Sequence, residues 1–147
     1  MVTQISRCEY LRILLCLFIG LIPITSQAEV TIIGNKNISI DSVSLKQAKK
    51  LWLGKLKKLP GAGKISVVDL PNANTAHSEF YRKIVKKKPS QLKAYWAKVT
   101  FTGKAFPPEK LADDAAVVEW VASTPGALGY VDNSAVNGSV KILLTAK

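Results

Sequence analysis

Histidine is nearly absent, and cysteine is confined to one end of the chain. The 147 residues include one histidine, His77, and two cysteines, Cys8 and Cys16, both within the first 28 positions. Zinc-type sites and Cys–His or Ser–His pairs therefore have little to draw on. No G-x-S-x-G elbow is present, so a hydrolase triad around His77 lacks its nucleophile. Gly63-Lys64 resembles the tail of a phosphate loop, but Ile65 stands where Ser or Thr is required and position 58 is Lys, not Gly. Asp113 and Asp114 are adjacent, and neighbouring side chains on a helix diverge by roughly 100°, so they read as a helix cap and not a carboxylate dyad. The sequence does not read as an enzyme, and it implies no cofactor and no metal.

Long apolar runs are missing as well. Ile13–Ile24 is apolar over 12 residues, short of the ~20 that span a bilayer. Arg7 and Arg12 precede it, Pro23 breaks it, and Ser26-Gln27-Ala28 offers small residues at −3 and −1. Residues 1–28 thus read as a secretory signal peptide cleaved before Glu29. Leu15 before Cys16 is not the small residue of a lipoprotein signal. Cleavage leaves residues 29–147 as a single cysteine-free domain that cannot use a disulfide, so a packed core must hold it. Large multidomain enzymes, repeat arrays and polytopic membrane proteins are excluded by length alone.

What the chain has in excess is lysine. Lys+Arg total 21 against 10 Asp+Glu, a formal +11. Lys49, Lys50, Lys55, Lys57, Lys58 and Lys64 form one group; Lys86, Lys87, Lys88, Lys93 and Lys98 form another. Such density often marks nucleic-acid binding. Export would separate the protein from cytoplasmic nucleic acid, and interleaved aromatics are scarce, so no nucleic-acid partner is expected. The bland reading is a solvated basic face. The functional reading is attraction to an anion: a small oxyanion, an acidic partner or an envelope surface. A basic, cysteine-free exported domain fits a bacterial periplasm.

Strand and helix signals alternate along 29–147. Val30–Ile33 and Ile65–Asp69 are β-prone runs closed by turn residues. Ser44 and Gln47 form a capping box, and Leu45, Ala48, Leu51 and Trp52 follow helical spacing up to Gly54. Leu59–Gly63 reads as a loop. Asn74 or Thr75 caps a helix with Ala76, Phe80 and Ile84 inward; Pro89-Ser90 recaps a further one with Leu92, Trp96 and Val99 inward. Asp113 or Asp114 caps a helix carrying Val117, Val118 and Val121, and Ala127–Val131 and Val140–Leu144 read as strands. The order β-α-β-α-α-α-β-β predicts an α/β fold with helices around a small mixed or parallel sheet.

One turn has a physical reason to bind a ligand. Leu70-Pro-Asn-Ala-Asn-Thr75 leaves a strand and enters a helix whose N–H groups point outward and favour anions. Open α/β sheets bind ligands beyond the carboxyl ends of their strands. The expected ligand-binding residues are Asn72, Asn74, Thr75, Ala76 and His77, although His77 taken by itself reads as a solvent-exposed helix residue.

Leu51-Trp-Leu-Gly-Lys55, the Ile65–Val68 strand leading to a turn and Phe80, Tyr95-Trp96, Phe101-Thr-Gly-Lys104 and above all Thr124-Pro-Gly-Ala-Leu-Gly-Tyr-Val131 carry a resemblance. Over most of 30–136 the chain resembles short, single-domain relatives of the phosphate ABC transporter periplasmic substrate-binding proteins. The resemblance implies a single lobe of a type II periplasmic-binding-protein-like fold, with 119 residues after the leader making about one lobe where full-length relatives close two. In those relatives the turn carries an Arg and, four residues on, Ser-Gly-Thr. Counted back from Phe80, these positions hold Leu70 and then Asn74, Thr75 and Ala76, so the bidentate guanidinium is lost. His77 is the only replacement cation on that turn, and only at mildly acidic pH. The expectation is an exported, non-catalytic small-anion-binding or accessory module in the periplasm, with phosphate-like binding that is weak. The alternative is an interaction protein for an envelope transporter, porin or sensor with no small ligand of its own.

Overall fold

The computed structural model describes residues 28–147; the expected signal peptide lies outside the described residues, apart from Ala28. Strand β1 (Val30–Asn35) is buried along its whole length, as a strand flanked on both edges and covered on its faces must be. Helix α1 (Leu45–Trp52) starts at the capping box read from the sequence: the Gln47 N–H donates to Ser44 Oγ at 3.2 Å, and the Ser44 N–H donates to Gln47 Oε1 at 2.9 Å. It ends at Gly54, whose φ of +67° is left-handed. A side chain there would also meet the Ala105 Cβ at 2.7 Å.

A short hairpin, β2 (Lys58–Leu59) with β3 (Gly63–Lys64), occupies what reads as plain loop. Strand β4 (Ser66–Asp69) leads to helix α2 (Thr75–Phe80), which Asn74 caps and a π-helical turn (Tyr81–Val85) extends until Lys86 turns left-handed at φ +56°. Helix α3 (Pro89–Phe101) follows, with Pro at its first position. Strand β5 (Glu109–Lys110) is a two-residue edge, and helix α4 (Asp114–Ser123) begins at Asp113, whose Oδ1 accepts the Ala116 N–H at 2.8 Å. Strands β6 (Ala127–Asp132) and β7 (Val140–Ala146) close the chain, joined by a 3-10 turn.

The five-stranded sheet has the order β5-β4-β6-β1-β7. β4 runs parallel to β5 and β6, whereas β1 is antiparallel to β6 and β7, so the sheet is mixed with helices around it, as the alternation of elements predicts. Inside it, Trp52, Phe80 and Tyr130 form one aromatic cluster. Phe80 stacks on Tyr130 at 3.8 Å between centroids and 5° between planes, and Trp52 stands edge-on to Phe80 at 4.9 Å. The Trp52 indole N–H donates to the Val68 carbonyl at 2.9 Å, satisfying its polar handle inside the core. Gly129 is where α4 lies on β6: a Cβ there would come within 2.5 Å of Val117 Cγ1. That gives the Gly of the Ala-Leu-Gly-Tyr run a packing reason.

Two inward assignments need correction. Leu45 heads the α1 stripe yet is 49% exposed, because it sits in the first turn, ahead of the buried Ala48, Leu51 and Trp52. Trp96 belongs with Leu92 and Val99 on α3, but no residue of α3 is buried. The stripe is present but only half-buried: Leu92 packs against the edge of the core and Trp96 lies over Gly54, while the far side of α3 is in solvent. Trp52, Phe80 and Val121 are each fully buried, as their spacing predicts.

Candidate functional site

Strand β4 ends on a carboxylate. Asp69 closes the run Ser66-Val-Val-Asp69 and is only 4% exposed. A buried charge requires partners, and three donors supply them. The Tyr81 phenol donates to Asp69 Oδ2 at 2.8 Å, and the Tyr130 phenol and the Leu70 N–H, at 2.9 Å, donate to Oδ1. The Leu70 N–H also lies 3.3 Å from the Tyr130 oxygen. Burial, and next the Asp69 carboxylate, push both phenols well above the ordinary tyrosine pKa and keep them as donors. Among the described residues no buried polar side-chain atom lacks a partner. This network is therefore a saturated floor, not a set of free ligands.

Above that floor opens a cleft of about 1120 Å³. His77 stands at its base, with its ring 4.6 Å from that of Tyr81 and Nε2 3.9 Å from Asp69 Oδ1, too far for a hydrogen bond. Burial lowers the His77 pKa below that of ordinary imidazole; Asp69 pulls it back up, and Lys110 pushes it down. His77 is accordingly neutral near pH 7. The solvent-exposed helix residue read from the sequence is, in the structure, 8% exposed. The reason is spacing: Tyr81 follows His77 by four residues and shares its face.

The walls are basic. Arg82, Lys86, Lys87, Lys88, Lys93 and Lys110 line the cleft, and Asp69 is its only acid. Lys110, on the edge strand β5, donates to Asn72 Oδ1, so the loop after β4 and the edge of the sheet meet at the mouth. Arg82 is already held by Glu79, with Nη2 2.5 Å from Oε2. Leu92 and Trp96 add an apolar wall from α3.

The five residues expected to bind a ligand divide into two groups. Asn72 and His77 line the cleft. Asn74, Thr75 and Ala76 are not among its lining residues. Asn74 is occupied at both ends of its amide: Oδ1 accepts the Ala76 N–H at 2.7 Å, and Nδ2 donates to Asp114 Oδ1 at 2.7 Å. Asp114 accepts the Asp132 N–H through its other oxygen at 2.7 Å, so it ties α2, α4 and β6 together. Ala76 is buried, and Thr75 is exposed. Asp69, Tyr81, Tyr130 and Lys110 escaped the sequence reading. The one available signal was a charge ending an otherwise apolar strand, directly before a turn.

The described residues have the fold of a single α/β lobe like that of solved phosphate substrate-binding proteins. A Clostridium perfringens structure assigned as a phosphate ABC transporter substrate-binding protein, solved with bound phosphate, superposes with a TM-score of 0.63 at 20% identity, covering 79% of this chain and 45% of that one. An ABC-type phosphate transport receptor from Vibrio cholerae gives 0.62 at 16% identity, covering 79% and 46%. PstS from Borrelia burgdorferi gives 0.58 at 15%, covering 79% and 47%. The chain thus spans less than half the length of these structures. No protein-family model matches the sequence, and no curated relative does.

Proposed function

We propose that this chain is an exported, non-catalytic binding domain that takes a small oxyanion in the cleft beyond β4. The observation that carries the reading is the charge of that cleft: six basic side chains line it, and its single carboxylate is already engaged by two phenols and a backbone N–H. Low-dielectric walls focus such a field and concentrate anions. The fold's solved neighbours include one with bound phosphate, which supports the same class of ligand.

The affinity follows from what grips the anion. Leu70 has no guanidinium to offer, Asn74 is committed to capping, and His77 is uncharged near neutrality. Flexible lysines remain, as hydrated point charges without the planar fork of Arg. Binding of phosphate is therefore no tighter than about millimolar, a free energy near −4 kcal/mol. Export through residues 1–28 places the domain in the periplasm.

A thermal-shift panel of phosphate, sulfate and other oxyanions tests this, because a ligand that binds the native state raises its melting temperature. The expected result is a rise at millimolar oxyanion that exceeds an ionic-strength-matched chloride control and shrinks in Lys110→Glu. No rise above that control would refute the small-anion reading and leave the alternative, an interaction protein for an envelope partner with no small ligand of its own.

A further inference from the structure

Helix α3 is the one α-helix among the described residues without a buried residue. It is tied to the body along one side only. The Tyr95 phenol donates to the Leu53 carbonyl at 2.6 Å, and the Lys55 and Lys87 ammonium groups each lie 5.6 Å from the Tyr95 ring centroid. Its far end and the loop beyond carry two aromatic side chains in solvent: Phe101 is 93% exposed and Phe106 is 70% exposed. Lys98 and Lys104 beside them are exposed as well. Between Glu79 and Glu109 the chain has eight basic residues, seven of them lysine, and not one acidic residue.

A one-signed basic segment with phenylalanines in water has an anionic, partly apolar counterpart. We propose that the end of α3 and the loop after it dock on an anionic phospholipid surface. Phe101 and Phe106 enter the headgroup layer, and Lys98 and Lys104 beside them face the lipid phosphates. Lipid fits better than a protein partner because of the residue types. Protein interfaces enrich arginine and exclude lysine, and carboxylates are matched by the arginine fork. Headgroup fields attract hydrated lysines additively, and aromatic rings seat at the boundary. No helix among the described residues is long and apolar enough to cross a membrane, so the contact lies on the surface. Phe101, Phe106, Lys98 and Lys104 do not line the cleft, so this surface stands apart from the proposed anion site.

Co-sedimentation with vesicles is the test, comparing pure phosphatidylcholine with an equal mixture of phosphatidylglycerol and phosphatidylcholine. Binding to the anionic vesicles should be at least about tenfold tighter and should weaken with salt. The Phe101→Ser/Phe106→Ser double variant should lose about tenfold in partitioning with its melting temperature unchanged, and Lys98→Glu/Lys104→Glu should do the same. Equal binding to both vesicles, or wild-type partitioning by the double phenylalanine variant, would overturn the proposal. So would an absence of vesicle binding alongside salt-sensitive capture of polyglutamate, which would assign the face to an acidic protein.

Discussion

Replacing Asp69 by alanine tests the floor of the cleft. The substitution removes the acceptor of the Tyr81 and Tyr130 phenols and of the Leu70 N–H. The Leu70 N–H keeps the Tyr130 oxygen 3.3 Å away as an alternative, so two bonds are lost outright. At about 1.5–3 kcal/mol for each hydrogen bond to a charged group, the gross loss is about 3–6 kcal/mol. Removing the carboxylate also relieves its own desolvation, several kcal/mol in effective terms. The expected net destabilisation is about 2–4 kcal/mol, because the two phenols stay buried without a partner. Asp69→Asn keeps the shape, one acceptor oxygen and an NH₂ that can face a phenol oxygen, so it should cost about half as much. Urea denaturation followed by tryptophan fluorescence reads both, since Trp52 lies against the aromatic cluster. The asparagine variant also removes the cleft's only acid and should bind oxyanions more tightly than the wild type. An alanine variant within about 0.5 kcal/mol of wild type, the range of ordinary surface changes, would refute the reasoning.

Phe80→Ala should cost about 3–5 kcal/mol in the same assay, because the ring is fully buried against Tyr130 and Trp52; a loss below about 1 kcal/mol would mean that the stacking contributes nothing. His77, the only histidine, has a folded-state pKa below its unfolded one, so the unfolded chain takes up its proton first. Stability should thus be flat above about pH 6.5 and fall as the pH drops from there through the folded-state value; in His77→Gln that loss should disappear. Asp41 and Glu79, whose pKa values are lowered by Lys141 and by Arg82, titrate below the ordinary carboxylate range and so below the onset of that loss. Intact-mass analysis of the exported protein should show Glu29 as the first residue; a full-length, membrane-retained chain would contradict export by a cleaved leader.

Local signals carried most of the frame. The Ser44–Gln47 box and Asp113 start their helices where a side-chain acceptor meets free N–H groups, which needs only a few neighbouring residues to read. Trp52, Phe80 and Val121 follow from helical periodicity for the same reason. The hairpin of β2 and β3 and the edge strand β5 did not show, because two-residue bridges have no period. The half-burial of α3 was invisible for a different reason: Leu92, Trp96 and Val99 record which side faces inward, not how deeply it is covered. The cleft floor was hidden because its members come from β4, the π turn and β6. Asp69 lies 12 positions from Tyr81 and 61 from Tyr130, and only the sheet order brings them together.

The central claim, a weak oxyanion site in the basic cleft, is tested most directly by titrating the isotope-labelled protein with phosphate at physiological ionic strength and following side-chain and amide resonances by NMR. His77, Asn72 and Lys110 should shift together and saturate near millimolar phosphate, about −4 kcal/mol, with the shifts competed by sulfate and lost in Lys110→Glu. Micromolar, salt-resistant saturation would contradict the affinity argument, and a titration that leaves those three residues unmoved would contradict the site itself.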